Sequence, residues 1–168
     1  MSMHAEHRET SCKGSPIIEL RDVQKTFKSA AGDFQALKGI DMEICAGEFV
    51  SIIGKSGSGK STLLNMITGI DRPSTGEVVV NGSAIHEMSE NQLAAWRGEN
   101  MGIIFQFFQL LPSLSLIQNV ILPMDLSGKY KPRERRERAE HLLEIVGLVE
   151  HKHKLPSMVS GGQQQRAA

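Results

Sequence analysis

The chain has 168 residues, 40% of them hydrophobic, and its 19 Lys+Arg balance 19 Asp+Glu. The length points to one domain, and the apolar fraction is sufficient for a core. Zero formal net charge excludes a global field that would draw the chain to nucleic acid or anionic lipid, so no nucleic-acid partner is expected.

Residues 1–16 are polar, lack the apolar run of a signal peptide, and read as a mobile tail. Cys12 lies in this tail and Cys45 near the end of a later strand; both read as ordinary reduced thiols. Ile17 to Phe27 alternates as a strand does, and Gln35 to Ile44 reads as a second strand. Ala46-Gly47 turns the chain into Glu48–Ile53, a short, mostly apolar strand.

Gly54-Lys55-Ser56-Gly57-Ser58-Gly59-Lys60-Ser61 follows, with Thr62 after it. The run fits G-x-x-x-x-G-K-[ST], the loop that binds the phosphates of a nucleoside triphosphate. Its glycines let the backbone curl so that successive N–H groups point at phosphate oxygens. A side chain at Gly57 or Gly59 would crowd the phosphates or the turn. Lys60 is suited to reach the β- and γ-phosphates, and the Ser61 hydroxyl to coordinate magnesium. Ser61 to Ile67 reads as a helix, so strand, loop and helix together aim a helix N-terminus at the phosphates. A Gly/Ser-rich turn with a chance lysine would not explain both flanking elements.

The helix ends near Gly69, and Asp71-Arg72-Pro73 turns the chain. Gly76 to Val80 is a β-branched strand, Asn81-Gly82 a hairpin turn with positive φ at both positions, and Ser83 to Ile85 the return strand. Ser89 and Gln92 form a capping box that opens a helix through Trp96. Met101 to Phe105 reads as a further strand and Leu114 to Leu126 as a helix. The apolar region from Met101 to Met124 is interrupted by Gln106, Gln109, Pro112, Asn119 and Pro123, so it does not read as a membrane span. Pro132 opens a helix that runs to about Val146 and ends at Gly147. Glu134 with Arg138 and Arg136 with Glu140 are i,i+4 pairs on a solvated face, while Leu142, Leu143, Ile145 and Val146 supply the buried stripe. His151 and His153 read as solvated surface rather than as metal ligands.

Near the end stands Val159-Ser160-Gly161-Gly162-Gln163-Gln164-Gln165-Arg166, where a helix could begin. Ser-Gly-Gly-Gln alone is weak; paired with the phosphate loop it becomes specific. From about Ile17 onward the chain resembles the ATP-binding subunits of ABC transporters, with GEFVSIIGKSGSGKSTLLNMITGIDRPSTGEVVVNG close to the family pattern. FQFFQLLPSLSLIQNV and SGGQQQR are similar to the branch of lipoprotein-releasing and macrolide-export subunits. Ser160, Gly161, Gly162 and Gln163 match the signature motif, with Val159 where the family has Leu. Gln106 matches the glutamine that contacts magnesium and senses the membrane subunit, and Phe27 the aromatic that stacks on adenine. Lys55 stands where the branch often has Pro, at a variable position of the loop.

The resemblance implies an α/β fold: a P-loop NTPase core of the ABC type with an antiparallel β subdomain and a helical subdomain. Residues 17–105 would form the nucleotide-binding core, and residues 106–168 the glutamine loop and helical subdomain. It implies ATP and Mg2+ as ligands, and two subunits paired head-to-tail around two nucleotides. It also implies a separate transmembrane permease that holds the subunit at the inner face of the cell membrane. The Phe107, Phe108, Leu110 and Leu111 surface is the candidate dock for that permease, or else packs in the core. Family cassettes continue into a strand with a magnesium-holding aspartate and a catalytic glutamate, then a switch histidine; these 168 residues contain no equivalent. Asp41-Met42-Glu43 precedes the loop and Leu143-Glu144 is helical, so neither substitutes. The 168 residues alone are therefore expected to bind ATP and to turn it over poorly. A nucleotide-binding regulatory module or an inactive remnant is the alternative. A soluble ABC protein with paired cassettes, or a P-loop kinase or GTPase, fits less well, because no second cassette and no Asn-Lys-x-Asp occurs.

Overall fold

A computed structural model describes residues 14–30 and 32–168. Cys12 and most of the expected mobile tail lie outside the described residues. The rest forms two units, one ending at Met101 and one beginning at Gly102.

The first unit holds one four-stranded sheet in the order β2-β1-β3-β4, built from β1 (Ile18–Phe27), β2 (Phe34–Ile44), β3 (Thr75–Val80) and β4 (Ser83–Ala84). All three pairings are antiparallel. The expected hairpin is present: Asn81 and Gly82 adopt φ 49° and 72°, the positive values a type I′ turn requires. Helices α1 (Lys60–Ile67) and α2 (Glu90–Asn100) complete the unit. Leu63, Met66 and Ile67 of α1 and Leu93 and Trp96 of α2 join Leu20, Val23, Leu37, Val78 and Val80 of the sheet in one core. Each such burial contributes about 1.5–3 kcal/mol. The Ser89–Gln92 capping box forms, with the Ser89 amide donating to Gln92 Oε1 at 2.8 Å, and the helix it opens runs four residues past Trp96 to Asn100.

Two expected strands are not formed. Residues 48–53 and 101–105 carry no ladder hydrogen bonds, and Phe49, Ile53 and Ile104 are 98%, 70% and 77% exposed. Both runs have the apolar composition of buried parallel strands, but such a strand exists only when a neighbour takes up its N–H and C=O groups. No described strand pairs with either. Cys45 is disulfide-bonded, a correction to the reading of it as a reduced thiol.

The second unit is helical: α3 (Leu116–Ser127), α4 (Pro132–Ile145) and α5 (Gly161–Ala167) around Leu116, Ile117, Met124, Ala139, Leu143 and Leu148. Pro132 sits in the first turn of α4, and Gly147 past its end takes φ 67°. The buried stripe of α4 is narrower than expected. Ala139 and Leu143, four residues apart, are buried, whereas Leu142 and Ile145 are 40% and 67% exposed because they fall off that line. Arg136 pairs with Glu140 as expected, but Glu134 turns back to accept from the Lys131 amide at 2.9 Å, so the outer i,i+4 pair is Arg133–Glu137. No described helix is long and apolar enough to cross a membrane.

Asn119 fastens the segment before α3. Its Oδ1 accepts from the Leu111 amide at 2.7 Å, and its Nδ2 donates to the carbonyls of Leu114 and Ser115 at 3.0 Å each. Asn119→Ala is expected to lower the unfolding free energy by about 2 kcal/mol, measured by urea denaturation. An unchanged midpoint would show that water replaces these bonds without loss.

Candidate nucleotide-binding site

The loop from Gly54 to Ser61 closes on itself before α1 begins. The Ser58 amide donates to the Lys55 carbonyl at 3.2 Å, and Gly59 enters the helix with φ 93°. Lys60 Nζ donates to the carbonyls of Gly54 at 2.9 Å and Lys55 at 2.8 Å, so the loop curls around its own ammonium.

The two loop glycines differ in what they permit. A Cβ at Gly57 would meet nothing within 4 Å, though its φ of 76° disfavours any side chain, whereas at Gly59 it would lie 2.8 Å from the Ala36 carbonyl of β2. Gly59 is thus required for seating the loop against the sheet. Gly54 is constrained from within the loop, because a Cβ there would lie 2.6 Å from Ser58 Oγ.

The donor set fits a polyphosphate. Lys60, Ser61 and Thr62 are the first three residues of α1, so their amides have no acceptor inside the helix. No side chain caps them and no acidic residue lies in the first turn, leaving the positive end of the helix dipole uncompensated. Ser58 Oγ is buried without a hydrogen-bond partner, a polar atom that a phosphate oxygen would satisfy. Lys55, Ser56 and Ser61 are exposed, so the loop faces solvent.

Phe27, the last residue of β1, is 42% exposed and pairs across the ladder with Phe34, which is 60% exposed. Gly59 touches β2 at Ala36, two residues from Phe34. At roughly 3.4 Å per residue this sets the Phe27–Phe34 rung about 7 Å along the strand from the loop. Phe34 belongs to no motif; only its place across from the end of the first strand pairs it with Phe27.

The remaining candidates belong to the second unit. Gln106 is exposed in a bend directly after Phe105. Ser160 caps α5: its Oγ accepts from the Gln163 amide at 3.3 Å, while Gln163 Oε1 accepts from the Ser160 amide at 2.8 Å. Gln163 Oε1 is therefore occupied in the cap. Gly161 and Gly162 are exposed, and added Cβ atoms there would meet nothing within 4 Å. Val159 packs on the core of its unit, as an apolar residue one methylene longer would. Among the described residues no group of His, Cys, Asp and Glu could hold a metal ion.

Comparison with known proteins places this arrangement. The profile of the family described as ABC transporter matches residues 37–168. YknY, an uncharacterized ABC transporter ATP-binding protein of Bacillus subtilis, is 46% identical over 90% of this chain and 66% of its own length. The lipoprotein-releasing system ATP-binding protein LolD of Bacteroides thetaiotaomicron is 41% identical over 90% of this chain and 67% of its own length. The ATP-binding cassette MJ0796, solved as a dimer bound to ADP and Pi, superposes with a TM-score of 0.83 at 39% identity, covering 89% of this chain and 66% of that one. The chain thus spans about two thirds of the length of these relatives. A sheet-and-helix unit bearing a phosphate loop, with a helical unit after it, is the α/β architecture of those cassettes, and the chain belongs to the ABC transporter family.

Proposed function

We propose that the chain is the ATP-binding part of a transporter subunit, with residues 17–105 as nucleotide-binding core and residues 106–168 carrying the glutamine loop and signature motif. The observation that carries this reading is the loop at Gly54–Ser61, where an ammonium and an uncapped helix N-terminus share one exposed surface. Gly54, Lys55, Ser56, Gly57, Ser58 and Gly59 wrap the phosphates, Lys60 pairs with their charge, and Thr62 adds an amide. Ser61 would hold Mg2+, which neutralises phosphate charge when bound, and Gln106 is the further magnesium contact that the family resemblance implies. Phe27 stacks on adenine. Ser160, Gly161 and Gly162 offer a hydroxyl and two first-turn amides to the γ-phosphate held by a second copy, in a head-to-tail pair; Gln163 holds that turn in shape. The dimeric state of the MJ0796 cassette supports the pairing.

The coupling partner is a separate membrane permease, which places the subunit on the cytoplasmic face of the membrane. Phe107 is 77% exposed, and Phe108, Leu110 and Leu111 line an open groove with Leu122 and Pro123. Apolar side chains left open beside Gln106 suit a docking surface that reports to the nucleotide. Magnesium-ATP titrated calorimetrically into the 168-residue polypeptide is expected to bind saturably. No binding up to ~1 mM would overturn the reading. Phosphate release by this polypeptide is expected to be far slower than that of the MJ0796 cassette assayed beside it, because among the described residues no strand ends in adjacent acids to position water. Comparable turnover would show that the water is positioned by other means.

A further inference from the structure

We propose that Lys25 is a positioning residue for the adenine platform: its ammonium, anchored to Asp71 and the Arg72 carbonyl, braces one face of Phe27 so that the ring is set to receive the base. This rests on the reading of Phe27 as that platform.

Lys25 and Phe27 are two apart on β1, so their side chains leave the same face of the sheet. Lys25 Nζ lies 5.1 Å from the centre of the Phe27 ring, within cation–π range. The lysine is 13% exposed, which removes most of the water that would screen the interaction. It is also fixed: Nζ donates to Asp71 Oδ1 and to the Arg72 carbonyl, each at 2.7 Å. The Asp71 amide donates to the Asn65 carbonyl of α1, and Arg72 Nε donates to Glu90 of α2 at 2.9 Å. The ammonium is therefore held from the two helices packed on the sheet. Phe27 itself ends its strand with 42% of its surface open.

Two consequences follow for a ligand. A ring already held in place loses little side-chain freedom when a base stacks on it. A cation behind the ring also draws π density away from the free face, which reduces its repulsion with the π face of a purine. A purely structural ion pair between β1 and the turn after α1 would give neither effect, and this separates the two roles. Bracing acts on ligands that have a base and not on the phosphates alone.

The test compares magnesium-ATP with magnesium tripolyphosphate, the same charge chain without a base, as calorimetric ligands of the 168-residue protein and its variants. Phe27→Ala tests the platform. Lys25→Met, which keeps the stem and removes the charge, tests the brace. Each is expected to weaken ATP binding about 3- to 10-fold and to leave tripolyphosphate binding unchanged. Lys25→Arg restores ATP affinity to within about 2-fold, and adding Lys25→Met to Phe27→Ala weakens ATP binding no further. If Lys25→Met lowers the melting temperature, Asp71→Asn, which loosens the anchor and leaves the cation, supplies the same base-dependent loss in smaller degree. The proposal is overturned if Phe27→Ala weakens ATP binding while Lys25→Met does not. Equal losses for both ligands in Lys25→Met overturn it as well, because they assign the lysine to general structure. An ATP affinity indifferent to Phe27→Ala removes the platform reading, and the brace with it.

Discussion

Lys60→Ala is expected to weaken ATP binding by about 100-fold, with little change in the stability of the fold. Charge-assisted hydrogen bonds are worth about 1.5–3 kcal/mol each, and a lysine reaching two phosphates makes at least two, so about 3 kcal/mol is a conservative loss. The structure adds a second reason. Lys60 Nζ is the group on which the carbonyls of Gly54 and Lys55 converge, so alanine leaves two oxygens without their donor, facing the place proposed for the phosphates. Lys60→Arg is expected to fail as well, because a planar fork does not occupy the position of a compact ammonium. The fold itself is indifferent: the side chain is only half-buried and its partners are exposed loop carbonyls, so the urea midpoint moves by less than about 1 kcal/mol equivalent. Calorimetry with ATP and a urea titration on the same variant check both halves. Binding within about 3-fold of wild type would mean that the loop does not hold the phosphates.

How far the sequence could be read depended on whether the determining contacts were local. Asn81-Gly82 and the Ser89–Gln92 box were legible because turn and cap chemistry is set within four residues. The same grammar occurs at Ser115–Gln118 and at Ser160–Gln163, where each glutamine side chain accepts from the amide of its serine. Read as helix grammar, Gln163 also holds the turn that carries Gly161 and Gly162. The phosphate loop was legible as a motif, but the requirement at Gly59 was not, because it comes from Ala36 on another strand. The apolar composition of residues 48–53 and 101–105 predicts strands, but composition does not report whether a neighbour is present to bond them. Apolar content alone predicts Leu142 and Ile145 to be buried, but the 3.6-residue period separates them from Ala139 and Leu143. The Lys25–Phe27 contact was latent in their spacing, but its anchor at Asp71 is 46 residues away and belongs to tertiary structure.

Gly76→Ala is expected to destabilise the first unit by about 3–5 kcal/mol, a large part of what a domain of this size has. Gly76 lies on β3 with φ 92°, where an L-residue alone costs about 1–2 kcal/mol. The larger contribution is overlap. A Cβ there would lie 2.2 Å from the Asp22 carbonyl oxygen and 2.7 Å from that of Arg21. These are backbone atoms of the neighbouring strand and cannot swing aside as a side-chain tip would. They sit where they do because β1 is bulged: its register against β3 shifts between Arg21 and Gln24, and Asp22 itself has φ 45°. The Asp22 amide is held by Asp41 Oδ1 at 2.8 Å, so the bulge is fastened from the other side too. Relief of the clash therefore requires breaking the β1–β3 pairing. Gly82→Ala is the control, since it also has positive φ but meets nothing within 4 Å, and about 1 kcal/mol is expected. Urea midpoints of the two variants decide the matter, and equal values would mean that the bulge shifts freely. Because the bulge re-aims the last rungs of β1, where Lys25 and Phe27 stand, Gly76→Ala protein that still folds is expected to lose ATP affinity while retaining that for tripolyphosphate. Intact ATP affinity in folded Gly76→Ala protein would mean that the base platform does not depend on the twist of the strand that carries it.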